Sequence, residues 1–248
     1  MNTKKDCINY IKEGNPVVAW FSCGITSAVA CKLAILDFNN VRICYCDTLK
    51  YEHEDNIRFL KDCERWYKQE IEILKSDSYN DIYDVFNKTK WLNGIYGARC
   101  TVELKKKVRE EQTPLNAVTI FGMTTDERKR VARFEKQNPD IFLYCPLIEY
   151  NFNKMNCIDL LKAVNIDIPM MYKLGYKNNN CIGCVKGGMG YWNKIRDDFP
   201  HVFNKMAKLE RKINASCING IFLDELEEGR GNYKSELSVD CGVTCSIE

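Results

Sequence analysis

Six consecutive residues near the start of the chain combine short polar side chains with a glycine. They are Ser22, Cys23, Gly24, Ile25, Thr26 and Ser27. Ser and Gly let backbone N–H groups turn toward one point, and a helix beginning there adds its unpaired N–H groups and its positive dipole end. The run therefore predicts an anion site, with phosphate or sulfate as the expected guest. An ordinary strand-to-helix turn is the alternative.

Cysteines supply the second chemical signal. Cys181 and Cys184 form a C-x-x-C turn in which Gly183 lets two thiolates converge on one metal ion or cluster. A redox dithiol is the alternative, but such a pair normally opens a helix, whereas this one follows three asparagines and precedes a glycine run. Cys100 lies at a predicted helix start with basic neighbours, where the helix dipole favours a thiolate.

These residues need a scaffold that places strand ends side by side. Apolar runs predict buried strands at 17–21, 41–46, 70–74 and 117–122, separated by helical periodicity. This alternation predicts an α/β fold, a parallel twisted sheet with helices on both faces. Ligands bind beyond the carboxyl ends of such strands, where Asp47 also lies. Its carboxylate would accept hydrogen bonds from a ribose or hold a metal ion, a helix N-cap being the alternative.

The predicted organisation has three parts. Residues 1–176 form a nucleotide-binding α/β domain, and residues 177–228 form the C-x-x-C segment with a helical C-terminal lobe. Residues 229–248 form a tail that contains Cys241 and Cys245. Because this tail is rich in Gly, Ser and charge, we expect it to be mobile enough to close over a bound ligand.

Composition narrows the class of protein. The formal charge is +2, from 36 basic and 34 acidic side chains, and gives no electrostatic argument for a nucleic-acid partner. The sequence has no apolar run of about 18 residues and no leader, so we expect a cytoplasmic protein that does not enter a membrane. Fourteen cysteines in such a setting indicate metal binding, catalysis or burial, and Cys31, Cys44, Cys46 and Cys63 are predicted to be structural.

Several segments, in order, resemble the phosphoadenosine phosphosulfate (PAPS) reductase-like family of the adenine nucleotide alpha-hydrolase superfamily, whose ATP pyrophosphatases carry the S-G-G-x-D-S loop. Ser22-x-Gly24-x-x-Ser27 is similar to the modified phosphate loop of these proteins, with Thr26 where ATP pyrophosphatases carry Asp. The segment D-T-G-x-x-F-P-E-T is matched at Asp47, Thr48 and Glu54, and the segment G-x-R-x-D-E is matched at Gly122, Asp126 and Glu127. The resemblance runs from about residue 17 to residue 190, and a tail similar to E-C-G-I/L-H surrounds Cys241, with Asp240 for Glu and Thr244 for His.

The resemblance implies a site for an adenine nucleotide, either adenylyl sulfate (APS), PAPS or ATP. It implies that Cys100, Cys181 and Cys184 hold an iron-sulfur cluster of the 4Fe-4S type, with zinc as the alternative. Cys241 would be the catalytic nucleophile on the sulfate sulfur, or a fourth ligand to that centre. The alternatives for Cys245 are a resolving pair with Cys241 and a ligand role shared with it. The expected partners are the nucleotide substrate and a thiol reductant or sulfur donor, and the resemblance allows a homodimer.

Three functions remain open from the sequence. The first is a cysteine-dependent reductase acting on APS or PAPS, which the missing loop Asp favours. The second is an ATP-dependent iron-sulfur sulfurtransferase, the one reading in which a nucleic acid would be a partner. The third is a nucleotide- and metal-binding module without catalysis.

Overall fold

The computed structural model of the protein describes residues 2–94 and 97–236. Within it, five parallel strands form one sheet in the order β3-β2-β1-β4-β5. The strands are β1 (Val17–Phe21), β2 (Val41–Cys46), β3 (Glu72–Leu74), β4 (Val118–Ile120) and β5 (Phe142–Tyr144). Ala19 in the central strand pairs with Ile43 on one side and with Ile120 on the other. The predicted α/β class is confirmed.

Helices occupy most of the connections between strands. In chain order they are α1 (Lys4–Lys12), α2 (Ile25–Asp37), α3 (Asp55–Tyr67), α4 (Ile82–Thr89), α5 (Arg99–Thr101), α6 (Lys107–Gln112), α7 (Arg128–Gln137), α8 (Pro146–Glu149), α9 (Lys154–Ala163), α10 (Met170–Lys173), α11 (Met189–Asp198) and α12 (Pro200–Ile213). A π-helical segment, Val102–Lys106, joins α5 to α6. None of the helices in the described part of the chain is long and apolar enough to cross a membrane.

The chain forms two compact units. The first contains residues 1–47, 54–75 and 108–179, and the second contains residues 48–53, 76–107 and 180–248. These units are not contiguous in sequence, since residues 48–53 and 76–107 group with the C-terminal part rather than with the sheet. The sheet lies wholly in the first unit, which we call the sheet unit. The second, with α4, α5, α11 and α12, we call the cysteine unit.

The core of the sheet unit begins with β1, whose five residues are all buried. Phe21 packs edge-on against Tyr45 of β2 and lies near the ring of Phe59 of α3. Four cysteines named above as structural, Cys31, Cys44, Cys46 and Cys63, are buried here. Burial raises the pKa of Cys44 and of Cys63 to about 12, so both stay protonated at neutral pH and act as small apolar side chains.

The cysteine unit has a core of its own, built where α11 crosses α12. Trp192 of α11 is fully buried and meets Phe203 of α12 edge-on, with ring centroids 6.3 Å apart. The guanidinium carbon of Arg196 lies over the Phe203 ring, 4.4 Å from its centroid. The helical C-terminal region expected from the sequence is therefore present, and α11 is the element on which the cysteine-bearing turn is built.

Candidate functional site

The loop from Ser22 to Ser27 leaves the carboxyl end of β1 and runs into α2. Ser27 organises it, because its hydroxyl oxygen accepts hydrogen bonds from the N–H groups of Ser22 (3.0 Å) and Gly24 (3.3 Å) and donates one to the Gly24 carbonyl (3.0 Å). Gly24 is the N-cap of α2 and has no side chain to satisfy the first-turn N–H groups of the helix. Hydrogen bonds to Ser27 therefore hold the loop in its conformation. The N–H groups at the start of α2 are the groups that could bind an anion.

Three of the six predicted loop residues, Cys23, Ile25 and Ser27, are buried. Cys23 and Ile25 are each 0% exposed, so these residues can offer a ligand only their backbone groups. Cys23 also has a positive φ of 57°, a conformation that few residues other than glycine adopt. Something outside the loop must hold it in that conformation.

Asn179 holds the loop at Cys23. Its amide nitrogen donates to the Cys23 carbonyl at 2.7 Å and to the side-chain oxygen of Asn56 at 2.8 Å. The Cys23 thiol in turn donates to the Asn56 carbonyl at 3.5 Å. Asn56 is 0% exposed and Asn179 is 6% exposed, so these hydrogen bonds are shielded from water. Asn179 was not predicted from the sequence as a site residue, because it lies 156 positions from Cys23.

Gly122 is pressed against the same loop from the neighbouring strand. A Cβ atom at this position would lie 2.7 Å from both the Cα and the N atom of Ser27, and 2.9 Å from the carbonyl carbon of Thr26. Gly122 follows β4, which pairs with β1. The strand order reverses direction between these two strands, and this switch point is where open α/β sheets bind their ligands.

The acidic residues predicted to line the site have separate environments. Asp47 follows β2, is half-buried, and lies 3.6 Å from the ammonium group of Lys75. Glu54 is exposed at the N-cap of α3 and makes no side-chain capping hydrogen bond. Thr48 belongs to the cysteine unit, where its hydroxyl donates to Glu52 at 2.5 Å. Of these three residues, Asp47 is the one that directly follows a strand of the sheet unit.

Glu127 has a structural role in the sheet unit. One of its oxygens accepts from the Thr124 N–H at 3.0 Å, and the other accepts from Arg130 at 2.6 Å. These contacts form a capping box at the start of the turn that leads into α7. Asp126, next to it, is exposed. The family-like segment therefore supplies Gly122 as a close loop contact, whereas Glu127 caps a helix.

In the cysteine unit, a tyrosine hydroxyl holds the C-x-x-C turn. The Tyr191 oxygen accepts from the N–H groups of Gly183 (3.1 Å) and Cys184 (2.8 Å) and donates to the Cys181 carbonyl (3.4 Å). Gly183 has a φ of 77°, and a Cβ there would lie 2.7 Å from the side chain of Val202. The turn therefore requires glycine at position 183, and both of its cysteines are buried.

Cys100 is half-buried in α5, at the helix start that the sequence predicted. The neighbouring cations are partly neutralised, because the buried carboxylate of Glu103 pairs with Arg99 and with Lys107, each at 2.7 Å. The electropositive setting expected for the Cys100 thiol is therefore reduced by one buried negative charge.

Cys217 is a cysteine of this unit that sequence reasoning did not single out. Its N–H donates to the buried carboxylate of Glu210 at 2.6 Å. Burial raises the pKa of its thiol, and so do the nearby Glu210 and Cys100. Tyr83 interacts electrostatically with both Cys217 and Cys181, and its pKa is raised, mainly by burial. Cys217 therefore lies near Cys100, and Tyr83 lies near both Cys217 and Cys181.

Within residues 2–94 and 97–236, no three His, Cys, Asp or Glu side chains are gathered closely enough to form a metal-ligand set. The metal site predicted at Cys100, Cys181 and Cys184 stays a prediction. Cys241, the predicted nucleophile, and Cys245 lie outside the described residues.

The sheet topology defines an α/β protein of the doubly wound type. Residues 16–187 match the model of the phosphoadenosine phosphosulfate reductase domain family, and the chain belongs to that family. Among solved structures, a PAPS reductase from Candida auris in complex with phosphate is similar in fold, with a TM-score of 0.51 and 14% identity over 73% of this chain and 88% of that one.

A curated relative is an uncharacterized protein of Methanocaldococcus jannaschii, 21% identical over 224 residues. The match covers 85% of this chain but only 46% of that protein, so the chain spans about half the length of this relative.

Asn179 gives a test of the loop geometry. In Asn179→Asp an oxygen atom replaces the amide nitrogen that donates to the Cys23 carbonyl and to the Asn56 side-chain oxygen. The volume of the side chain is nearly unchanged. Buried acceptors left without donors cost about 1–3 kcal/mol each, so we expect nucleotide affinity to fall at least tenfold and the melting temperature to fall. Asn165→Asp, the same change at an exposed position of the sheet unit, is the control. Unchanged affinity and stability in Asn179→Asp would show that the loop does not depend on this side chain.

Proposed function

We propose that this protein binds APS or PAPS at the Ser22–Ser27 loop and reduces the sulfonyl group of the nucleotide through Cys241. The observation that carries this proposal is the packing of Gly122 onto Thr26 and Ser27 at the switch point of the sheet. This packing places the start of α2 at the carboxyl ends of the strands, where the N–H groups of a helix start can bind an anion. The family to which the chain belongs is enzymatic, which supports catalysis over simple binding.

In the proposed reaction, the Cys241 thiolate attacks the sulfur of the nucleotide. A sulfur–sulfur bond forms, the bond between that sulfur and the bridging oxygen breaks, and AMP or its 3′-phosphate leaves. The product on the enzyme is a cysteine S-sulfonate. A second thiol, from a thiol reductant or from Cys245, then attacks the Cys241 sulfur and releases sulfite, so that two thiols supply the two electrons and end as a disulfide.

The other predicted residues have roles at the nucleotide. The N–H groups of Ile25, Thr26 and Ser27 bind the phosphate or sulfate end, with the Ser22 hydroxyl beside them. Asp47 accepts hydrogen bonds from the ribose. Contacts from Thr48, Glu54 and Asp126 remain proposals that rest on the resemblance, and the loop position of Thr26 argues against ordinary ATP cleavage.

The proposed metal centre uses Cys100, Cys181 and Cys184. The chemistry of these donors fits, because thiolates are the ligands of 4Fe-4S clusters and of structural zinc. When bound, such a centre would give the turn a rigid attachment. The described residues do not gather the three side chains around one point, and the proposed reaction has no step through the metal.

An ATP-dependent sulfurtransferase is the second candidate, favoured by the three-cysteine pattern. Anaerobic calorimetric titration with APS, PAPS and ATP separates the two. The proposal predicts tight binding of APS or PAPS and weaker binding of ATP, with metal analysis of the same sample deciding between iron and zinc. Tight binding of ATP alone would favour the sulfurtransferase, and binding of none of the three would contradict both candidates.

A further inference from the structure

The C-x-x-C turn packs against the ring of Tyr191 as well as against its hydroxyl. A Cβ at Gly187 would lie 1.9 Å from the Cδ1 atom of that ring, so only glycine leaves room for it. The Gly187 N–H donates to the Cys184 carbonyl at 2.9 Å, which holds the chain after the turn in this position. With the hydroxyl contacts to Gly183 and Cys184, one side chain of α11 therefore supports the whole turn.

Glu236 caps the helix that carries this tyrosine. Its carboxylate accepts from the N–H of Gly190 at 2.6 Å and from the N–H of Tyr191 at 3.1 Å, at the positive end of the α11 dipole. The N-cap residue Gly188 has no side chain for this purpose, and a Cβ there would lie 2.9 Å from the Glu236 carboxyl carbon. The first turn of α11 is therefore capped by a residue 46 positions after Gly190.

The segment before Glu236 lies directly on the first turn of α11. A Cβ at Gly190 would lie 2.4 Å from the Tyr233 nitrogen, so the two backbones can touch because residue 190 is glycine. The Asn193 amide nitrogen donates to the Arg230 carbonyl at 2.8 Å. Because these contacts bind main-chain groups, we expect the segment to stay on the helix when the Glu236 side chain alone is changed.

We propose that Glu236 is a positioning residue for the turn of Cys181 and Cys184. Its carboxylate holds the backbone N–H of Tyr191, and the hydroxyl of the same tyrosine holds the turn. When the carboxylate is removed, the first turn of α11 loses its cap and opens more often, and the hydroxyl moves with it. The two buried thiols of the turn then become accessible more often.

This positioning bears on the proposed metal centre. A turn that is already ordered binds a metal ion without first losing the conformational entropy of a loose one, so the cap should raise the metal affinity of the two thiolates. The effect on metal rests on the proposed function. The link from Glu236 through Tyr191 to the thiols is a claim about the metal-free protein and is tested there.

Thiol alkylation tests the link in the full-length, metal-free protein under anaerobic conditions. Peptide mass spectrometry gives the rate at which iodoacetamide labels Cys181 and Cys184. In Glu236→Ala we expect both thiols to be labelled at least about tenfold faster, since hydrogen bonds to a charged group are lost and the turn opens more often. Glu236→Gln keeps one acceptor oxygen and should be intermediate. The control is Glu228→Ala, which removes an exposed carboxylate of the same segment and should not change the rate.

Tyr191→Phe separates positioning from a general loss of structure. It removes the hydroxyl that holds the turn and keeps the ring beside Gly187, so the thiols of this variant should be labelled faster than those of the unmodified protein. If Glu236 acts through the hydroxyl, Glu236→Ala should give no further increase in the Tyr191→Phe background. Hydrogen exchange at the Gly190 amide should still be faster in the double variant than in Tyr191→Phe, because the cap is lost in both backgrounds.

The outcomes are distinct. Unchanged labelling in Glu236→Ala would overturn the positioning role, and so would an equally large increase in the Tyr191→Phe background. Titration with zinc should show about tenfold weaker binding in Glu236→Ala, and an unchanged zinc affinity would overturn the effect on the metal. If the unmodified protein binds neither zinc nor iron, the proposed metal centre fails, and the labelling rates still decide the positioning role.

Discussion

Replacing Cys241 by serine should abolish S-sulfonate formation and sulfite release, a loss of at least about a thousandfold, as expected when a covalent nucleophile is removed. A serine hydroxyl at this position has no neighbouring base assigned to it and is far less nucleophilic than a thiolate. Nucleotide affinity should be unchanged, because the loop proposed to bind the anion lies in the sheet unit and would use backbone groups at the start of α2. The measurement is intact-protein mass spectrometry after anaerobic incubation with APS or PAPS, combined with titration of the same variant.

Cys245→Ser is the matched control. It should still form the S-sulfonate but release sulfite more slowly if Cys245 is the second thiol. Loss of a bound metal in Cys241→Ser would instead identify Cys241 as a ligand, and an undiminished S-sulfonate in that variant would place the nucleophile elsewhere.

Gly122→Ala should have the second largest effect, on both folding and nucleotide binding. The added methyl group would lie 2.7 Å from the Ser27 backbone and 2.9 Å from that of Thr26, so the start of α2 must move away from β4. Overpacking of this kind costs about 1–3 kcal/mol, and here the displaced atoms are those that would bind the anion. We expect a lower melting temperature and at least a tenfold weaker affinity for APS or PAPS.

Gly24→Ala separates the effect on folding from the effect on nucleotide binding. A Cβ at Gly24 makes only ordinary contacts, at 3.5 Å from the Tyr172 hydroxyl and 3.6 Å from the Ser22 hydroxyl, and the φ of −102° suits alanine. This variant should therefore keep the melting temperature of the unmodified protein while a methyl group enters the anion-binding loop. If Gly122→Ala were as stable and bound nucleotide as tightly as the unmodified protein, neither folding nor nucleotide binding would depend on the close packing of Gly122 on the loop.

The strands best predicted from the sequence are β1 and β2, which begin and end at the predicted residues. Both are largely buried and rich in apolar residues, Arg42 of β2 being their one charged residue. β5 was not predicted as a strand, because three residues followed by Cys145-Pro146 carry no period that distinguishes a strand from a turn. The grouping of residues 76–107 with the C-terminal part also has no local signal, because it depends on contacts distant in sequence.

The candidate site also has residues that could be predicted from the sequence and residues that could not. The loop could be predicted because its glycine and serines lie together in sequence, between a strand and a helix. Asn179 and Tyr191 act through hydrogen bonds to backbone groups of other segments, and such contacts leave no spacing pattern. Glu127 was predicted from the motif match as a binding residue; its carboxylate caps the turn before α7, and a ligand contact stays a prediction.

The most direct test of the proposed function is a single-turnover reaction of the unmodified protein with APS and, separately, PAPS under anaerobic conditions. Intact mass and peptide mapping would locate any added SO₃ group, and chromatography would identify the released nucleotide. The proposal predicts one SO₃ group on Cys241 and an equal amount of AMP or its 3′-phosphate. Absence of the adduct and of nucleotide release with both substrates, in protein that binds them, would contradict it.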